Sequence, residues 1–259
     1  MRKLAALILA VSMSSSLYAQ WFDWGFPLVP RTDDGKPNLT AAVPRTAGDR
    51  VDLSGLWVPL NASGSLYDSS RIKGWALDAI AEAERNFHSN APRFHCLPSG
   101  PGAYLAEFLT GGMRQIVQHP QIIAILNSDM TYRQVFMDGR RLEAEPLLPS
   151  WMGYSVGLWE DDTLVIETTN LHPLQRFNGN PSDNLKVIER LTRVDQSTIN
   201  YEFTVVDPGT YTAEWGGEVP MKALEGLIYE YACHEGNYAL GAILSGARYQ
   251  ERLEEENQN

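Results

Sequence analysis

Between residues 113 and 207 the chain is written almost entirely in period two. The runs MRQIVQH, QIIAILNS, TYRQVFMDG, YSVGLWED, DTLVIETTN, NLKVIERLTRVD and TINYEFTVVD follow one another, each rich in Val, Ile, Thr and Tyr. Alternation of this kind places successive side chains on opposite faces of a strand. The breaks between the runs are turn chemistry: His119-Pro120, Ser128-Asp129, Asp138-Gly139, Glu160-Asp161-Asp162, Asp195-Gln196-Ser197 and Asp207-Pro208-Gly209. Most are of hairpin length, so neighbouring strands are expected to run antiparallel. A meander of seven or more strands has edges to hide, and closure into a barrel or folding into a sandwich hides them.

The flanks fit around such a meander. DLSGLWVPL, from Asp52, reads as a first strand. KGWALDAIAEAERNF, from Lys73, places Ala76, Ile80, Ala83 and Phe87 on one face with acids opposite, which predicts a helix inserted after that strand. EGLIYEYACHEGN near the end predicts one more strand, YALGAILSGARYQERL a C-terminal helix, and EEENQN an acidic tail. The expected fold is thus all-β: an antiparallel barrel over residues 52–250, with one inserted helix, a C-terminal helix and a tail at 251–259. Residues 20–51 read as an arm and linker. The arm begins WFDWGFPLVP, and the linker holds a short echo between PRTDDGKPNLTAA and PRTAGDRVDLSGL.

Residues 1–19 have basic residues at Arg2 and Lys3, an apolar run from Leu4 to Met13 and small residues before Ala19, the pattern of a cleaved secretory signal. A periplasmic or secreted protein is expected, without membrane insertion, since no apolar run reaches the length of a bilayer span. The formal charge of −11 becomes about −13 once Arg2 and Lys3 are removed, which disfavours nucleic acid and anionic lipid as partners. The two cysteines, Cys96 and Cys233, are expected to form one structural disulfide in an oxidising compartment, contributing ~2–4 kcal/mol. His88, His95, His119, His172 and His234 are scattered without metal-ligand spacing, so no metal and no cofactor are predicted.

Several residues are candidates for a site. The tripeptide Gly-Leu-Trp occurs at Trp57 and again at Trp159. The first copy resembles the Gly-x-Trp on the first strand of calycin-type barrels, where Gly lets the chain bend, Trp plugs the barrel floor and an Arg from a late strand, here Arg190 or Arg193, lies over the ring. The alternative is that both Trps are ordinary core residues. TYRQVFMDGRRLEAE surrounds Asp138-Gly139 with Arg133, Arg140 and Arg141, either as an anion site or as a hairpin turn with solvated arginines. In KVIERLTRVD, Glu189 and Arg190 fall on opposite faces, so a charge points inward whichever face is core, and a buried charge requires a partner, a ligand or water. The acids Glu160, Asp161 and Asp162 are expected to face water.

The series DLSGLW, QIVQHP, YRQVFMDGRR, PSWMGYSVGLWEDDTLVIETTNL, LKVIERLTRVDQSTINYEFTVVDPGTYTAEW and EYACHEG resembles, in the same order, an uncharacterised family of secreted bacterial proteins. The resemblance covers most of the chain from Asp52 to Asn237 and implies a lipocalin- or calycin-like barrel. Matching positions are Arg133, Asp138, Arg140, Gly157, Trp159, Thr163, Glu189, Arg190 and both cysteines. The chain departs where it has Gly153-Tyr154-Ser155 in place of Gly-His-Ser, and Asp161-Asp162 in place of Gly-Asp.

The function expected from these residues is capture of a small, apolar or aromatic molecule in the barrel, with Arg133, Arg140, Trp159, Arg190 and Trp57 as its contacts. An alternative is cofactor-independent acid/base chemistry, such as hydration, elimination or isomerisation. Tyr154, Asp138 and Glu189 would then transfer protons and an Arg would hold an anion. A third class is an envelope interaction protein that uses the aromatic arm.

Overall fold

The computed structural model describes residues 32–33, 42–60, 69–86, 95–98, 100–101, 112–141, 148–173, 184–232, 235–236 and 238–258. Nine strands form a closed barrel: β1 (Gly55–Pro59), β2 (Arg114–His119), β3 (Ile122–Asn127), β4 (Tyr132–Phe136), β5 (Tyr154–Glu160), β6 (Thr163–Thr169), β7 (Lys186–Arg193), β8 (Thr198–Val206) and β9 (Trp215–Leu224). Each strand pairs with its sequence neighbours, and β9 pairs with β1. Directions cannot alternate all the way round a ring with an odd number of strands, so at least one pair must be parallel. That pair is β4–β5, joined only through Val135↔Ser155 and Phe136↔Val156. The sheet is therefore mixed, which corrects the all-antiparallel expectation. It also corrects the reading of Asp138-Gly139 as a hairpin turn. A parallel pair needs a crossover of a dozen or more residues, and residues 137–153 supply it.

The end of the chain departs from the sequence reading in two further ways. The ninth strand is Trp215–Leu224, whereas no strand is present at 225–232. Gly216, Gly217 and Pro220 disguise β9 by reading as breakers. Gly216 is required because a Cβ there would lie 2.0 Å from the carbonyl oxygen of Phe203. Pro220 is tolerated because the N–H and C=O of one strand residue point the same way. Its carbonyl accepts from the Leu60 N–H at 2.8 Å, so the missing donor faces the end of β1 and the β8 ladder is untouched. Helix α1 (Gly74–Arg85) agrees with the periodicity and sets Ala76 against the core. Helix α2 (Ala239–Gln258) runs on through residues expected to form an acidic tail. No helix among the described residues is long and apolar enough to cross a membrane.

Alternate residues of each strand point into the barrel, and aliphatic and aromatic side chains fill it: Ile123, Ile125, Val135, Leu164, Ile166, Leu191, Phe203 and Val219 are all buried. Each such side chain contributes on the order of 1.5–3 kcal/mol relative to exposure. The two ends differ. At one end the turns β2–β3, β5–β6 and β7–β8 are short, and the segment leading into β1 closes the opening with buried Val51 and Leu53. Trp57 lies fully buried beside this segment and donates its indole N–H to the Leu53 carbonyl at 2.9 Å. The Arg193 guanidinium sits 5.1 Å from the Trp57 ring and donates to the carbonyls of Asp52 and Gln196. At the opposite end the chain makes its long connections, residues 60–113, 170–185 and 207–214.

Candidate functional site

The inward charge expected from β7 is Glu189. It lies 2 % exposed in mid-barrel, on the face shared with Ile166 and Phe203. Its partner comes from β4. Arg133, 3 % exposed, meets both carboxylate oxygens, donating from Nη2 to Oε1 at 3.0 Å and from Nη1 to Oε2. Arg133 Nη1 also donates to Thr168 Oγ1 at 3.3 Å, and that hydroxyl shares a hydrogen bond with Ser155 Oγ at 2.8 Å. On the other side the Tyr201 hydroxyl donates to Glu189 Oε1 at 2.9 Å. Burial, reinforced by the neighbouring Glu189 charge, pushes the Tyr201 phenol well above its ordinary range. The phenol is thus held protonated as a donor.

This network crosses the barrel from β5 and β6 through β4 to β7 and β8. Arg114, also buried, joins Arg133, Glu189 and Tyr201 around an internal void of about 10 Å3, together with Ile116, Ile125, Leu191 and Met221. A void of that size holds one water molecule, whereas cavities for drug-sized ligands measure roughly 300–1,000 Å3. At the loop end of the same interior, Asn127 stands opposite Arg114 across the β2–β3 ladder. Its Nδ2 donates to Thr131 Oγ1 at 2.8 Å, while its buried Oδ1 has no hydrogen-bond partner.

The other sequence candidates do not join this cluster. Tyr154, Asp138 and Arg140 do come together, but on the outside of the barrel. Arg140 grips the Asp138 carboxylate at 2.5–3.0 Å, donates to the Tyr154 hydroxyl at 3.3 Å and lies 3.9 Å over the Phe136 ring, itself 5.4 Å from the Tyr154 ring. The hydrogen bonds from Arg140 hold the Asp138 carboxyl below its usual range, and those to Asp138 and Tyr154 hold the Arg140 guanidinium above its own. Every polar group of the cluster is thereby engaged with another member. The cluster ties the start of the crossover to the first residue of β5, beside the short parallel ladder. Gly157 serves the same junction, since a Cβ there would come within 2.8 Å of the Val135 side chain and 2.4 Å of Met137 sulfur.

Arg190 faces outward on β7 and pairs with Glu160 at 2.8 Å. Trp159 is half-buried against the core, and Trp57 is the closed-end residue described above. The acidic turn is engaged by arginine: Asp162 meets Arg45 at 2.6 Å, next to the Arg190–Glu160 pair. The residues of the buried cluster that are not among the sequence candidates for a site are Arg114, Ser155, Thr168 and Tyr201. Alternation was the available signal, because Arg114 is in phase with Ile116, and Tyr201 with Ile199, Phe203 and Val205.

Among the described residues no group of three His, Cys, Asp or Glu side chains comes together as metal ligands. Cys96 sits in a tight turn with φ of 52°, and no described cysteine is free. Cys233 lies outside the described residues, as do the signal sequence and the aromatic arm. Comparison with protein-family models, with curated proteins and with solved structures returns no match to this chain.

Proposed function

We propose that the protein is a periplasmic or secreted binding protein of calycin-like design, stapled by a Cys96–Cys233 disulfide, that takes a small, largely apolar or aromatic molecule at the loop end of its barrel. The observation that carries this reading is the buried Arg133–Glu189–Tyr201 set. A buried ion pair is a poor source of stability, because desolvation of both charges offsets their attraction. Replacing such a pair by apolar residues is often neutral or stabilising, which favours another use for the set in a barrel lined by Ile, Leu, Val and Phe: a fixed polar base beneath an occupant. The unpartnered Oδ1 of Asn127, above it on the loop-end side, offers an acceptor to a donor on that occupant. Because only about 10 Å3 is open beside the ion pair, the molecule sits above the pair and not alongside it. Proton-transfer catalysis by Tyr154 and Asp138 has less support, since Arg140 engages both on the outer surface.

The test is native mass spectrometry of the mature protein isolated from the periplasm, set against its denatured mass. A mass increment that disappears on denaturation is expected, and Asn127→Leu is expected to abolish it with the fold intact by circular dichroism. A clean apo mass, unaltered by incubation with a panel of aromatic and aliphatic acids and alcohols, overturns the proposal. For the staple, unreduced denatured protein is expected to take up no iodoacetamide and reduced protein two equivalents.

A further inference from the structure

The barrel wall has a weak seam between β1 and β2. Their ladder covers only Gly55↔Ile116, Leu56↔Gln115 and Trp57↔Arg114. Past Gly55, whose φ is 134°, the chain peels away, and β2 continues through Val117 and His119 with β3 on one side only. Inside this gap the Gln118 amide substitutes for a ladder, accepting from the Leu53 N–H at 2.8 Å and donating to the Val51 carbonyl at 2.9 Å. Outside it lies a groove of about 170 Å3 between Leu56, Val117 and Gly226.

From Gly226 the chain runs on across the outer surface until the Tyr231 N–H donates to the Ser128 carbonyl at 2.6 Å, at the β3–β4 turn. Leu227, Tyr229 and Tyr231 are exposed along the way, and Met130 and Tyr132 are exposed beside its end. Met130 holds a φ of 63°, a conformation uncommon for a long side chain. The result is a series of exposed apolar and aromatic side chains, interrupted by the exposed Glu230, from the β1–β2 seam to the β3–β4 turn. Patches of this kind on soluble proteins mark contact surfaces.

The same chain carries a segment suited to this surface. Residues 21–30 comprise Trp21, Phe22, Trp24, Phe26, Leu28 and Val29 with Asp23 as the sole charge, and two prolines that cannot donate to a ladder. Reach is sufficient. Ala42 is fixed at the closed end, where its carbonyl accepts from Gln196, and the groove opens at that same end beside Ser54 and Gly55. The connection through residues 31–41 spans up to roughly 35 Å when extended, about the length of a ten-residue strand. We propose that residues 21–30 dock intramolecularly on this surface, filling the groove at the β1–β2 seam and covering the tyrosines of the 225–232 segment.

Hydrogen exchange of the mature chain, compared with a variant lacking residues 21–30, tests this. Amides at 115–118 and 226–231 are expected to exchange at least tenfold faster in the shortened variant while those of β7 and β8 are unchanged. The synthetic peptide WFDWGFPLVP added in trans should restore the protection. Val117→Glu places a charge at a half-exposed position that the barrel tolerates, and should speed exchange of residues 21–30 in the full chain. Unchanged rates at the seam, an equal rise across all strands, or indifference of residues 21–30 to Val117→Glu each overturn the proposal. Protection that depends on protein concentration also overturns it, by assigning the segment to a second copy.

Discussion

In β8 the side chains of Ile199, Tyr201, Phe203 and Val205 are at most 3 % exposed, whereas in α2 those of Ile243, Leu244 and Tyr249 are 66, 46 and 54 % exposed. Both elements are periodic, and each forms the secondary structure its period dictates. The difference lies in what stands opposite. β8 has a full-length ladder on each side, to β7 and to β9, and a filled interior beneath it. Among the described residues α2 has no such neighbour: each residue from Gly241 to Arg252 is exposed. Periodicity thus decides the element, and only a partner surface decides burial.

The sharpest way to break that comparison is at the buried pair. Arg133→Met leaves the Glu189 carboxylate without its bidentate partner and is expected to cost about 3–5 kcal/mol, read as the shift in the urea midpoint. Replacing both, as Arg133→Met with Glu189→Leu, should recover most of that loss or exceed the starting stability. Next is Gly216→Ala, where a methyl group would press on the Phe203 carbonyl and part β9 from β8. A loss of about 1–3 kcal/mol is expected.

A pH experiment isolates Tyr201. Its phenol titrates higher folded than unfolded, so the unfolded chain loses a proton first as pH rises. Stability from this group is therefore fully present below about pH 10 and falls above it by up to about 1.4 kcal/mol per pH unit. Tyr201→Phe is expected to lack that limb of the profile. The smallest effect is on the other side of the comparison: ending the chain at residue 238 should move the barrel's urea midpoint by the equivalent of less than about 0.5 kcal/mol. A larger shift would mean that α2 has a partner on the barrel after all.

Alternation made most of the barrel legible, as did the amphipathic spacing of α1. Direction and face were harder. Asp138-Gly139 carries one of the strongest short hairpin signals, yet the parity of a nine-stranded ring requires a parallel step, and no local signal reports a strand count. β9 escaped because Gly216 and Pro220 are breakers by composition and strand residues only by virtue of the neighbours they meet. The candidate site divided because period two separates adjacent residues: Tyr154 points out and Ser155 in, Glu189 in and Arg190 out. Which arginine meets Glu189 depends on how β4 is placed relative to β7, across the barrel, and sequence spacing holds no trace of that.

The single parallel pair has a consequence for how the chain assembles. It divides the barrel into two runs of consecutive antiparallel ladders, β1–β4 and β5–β9, joined by two seams. One is the β4–β5 pair with two matched positions. The other is the β9–β1 pair, whose partners lie at opposite ends of the barrel sequence. In the second run, hairpin-length turns make β5–β6 and β7–β8 inexpensive in loop entropy, so local contacts form ahead of distant ones. Closing the ring, which brings Trp57 beside Ala223 and encloses the ion pair, is left as the late and slow event, and the native barrel opens first at its shortest ladders, β4–β5 with two matched positions and β1–β2 with three.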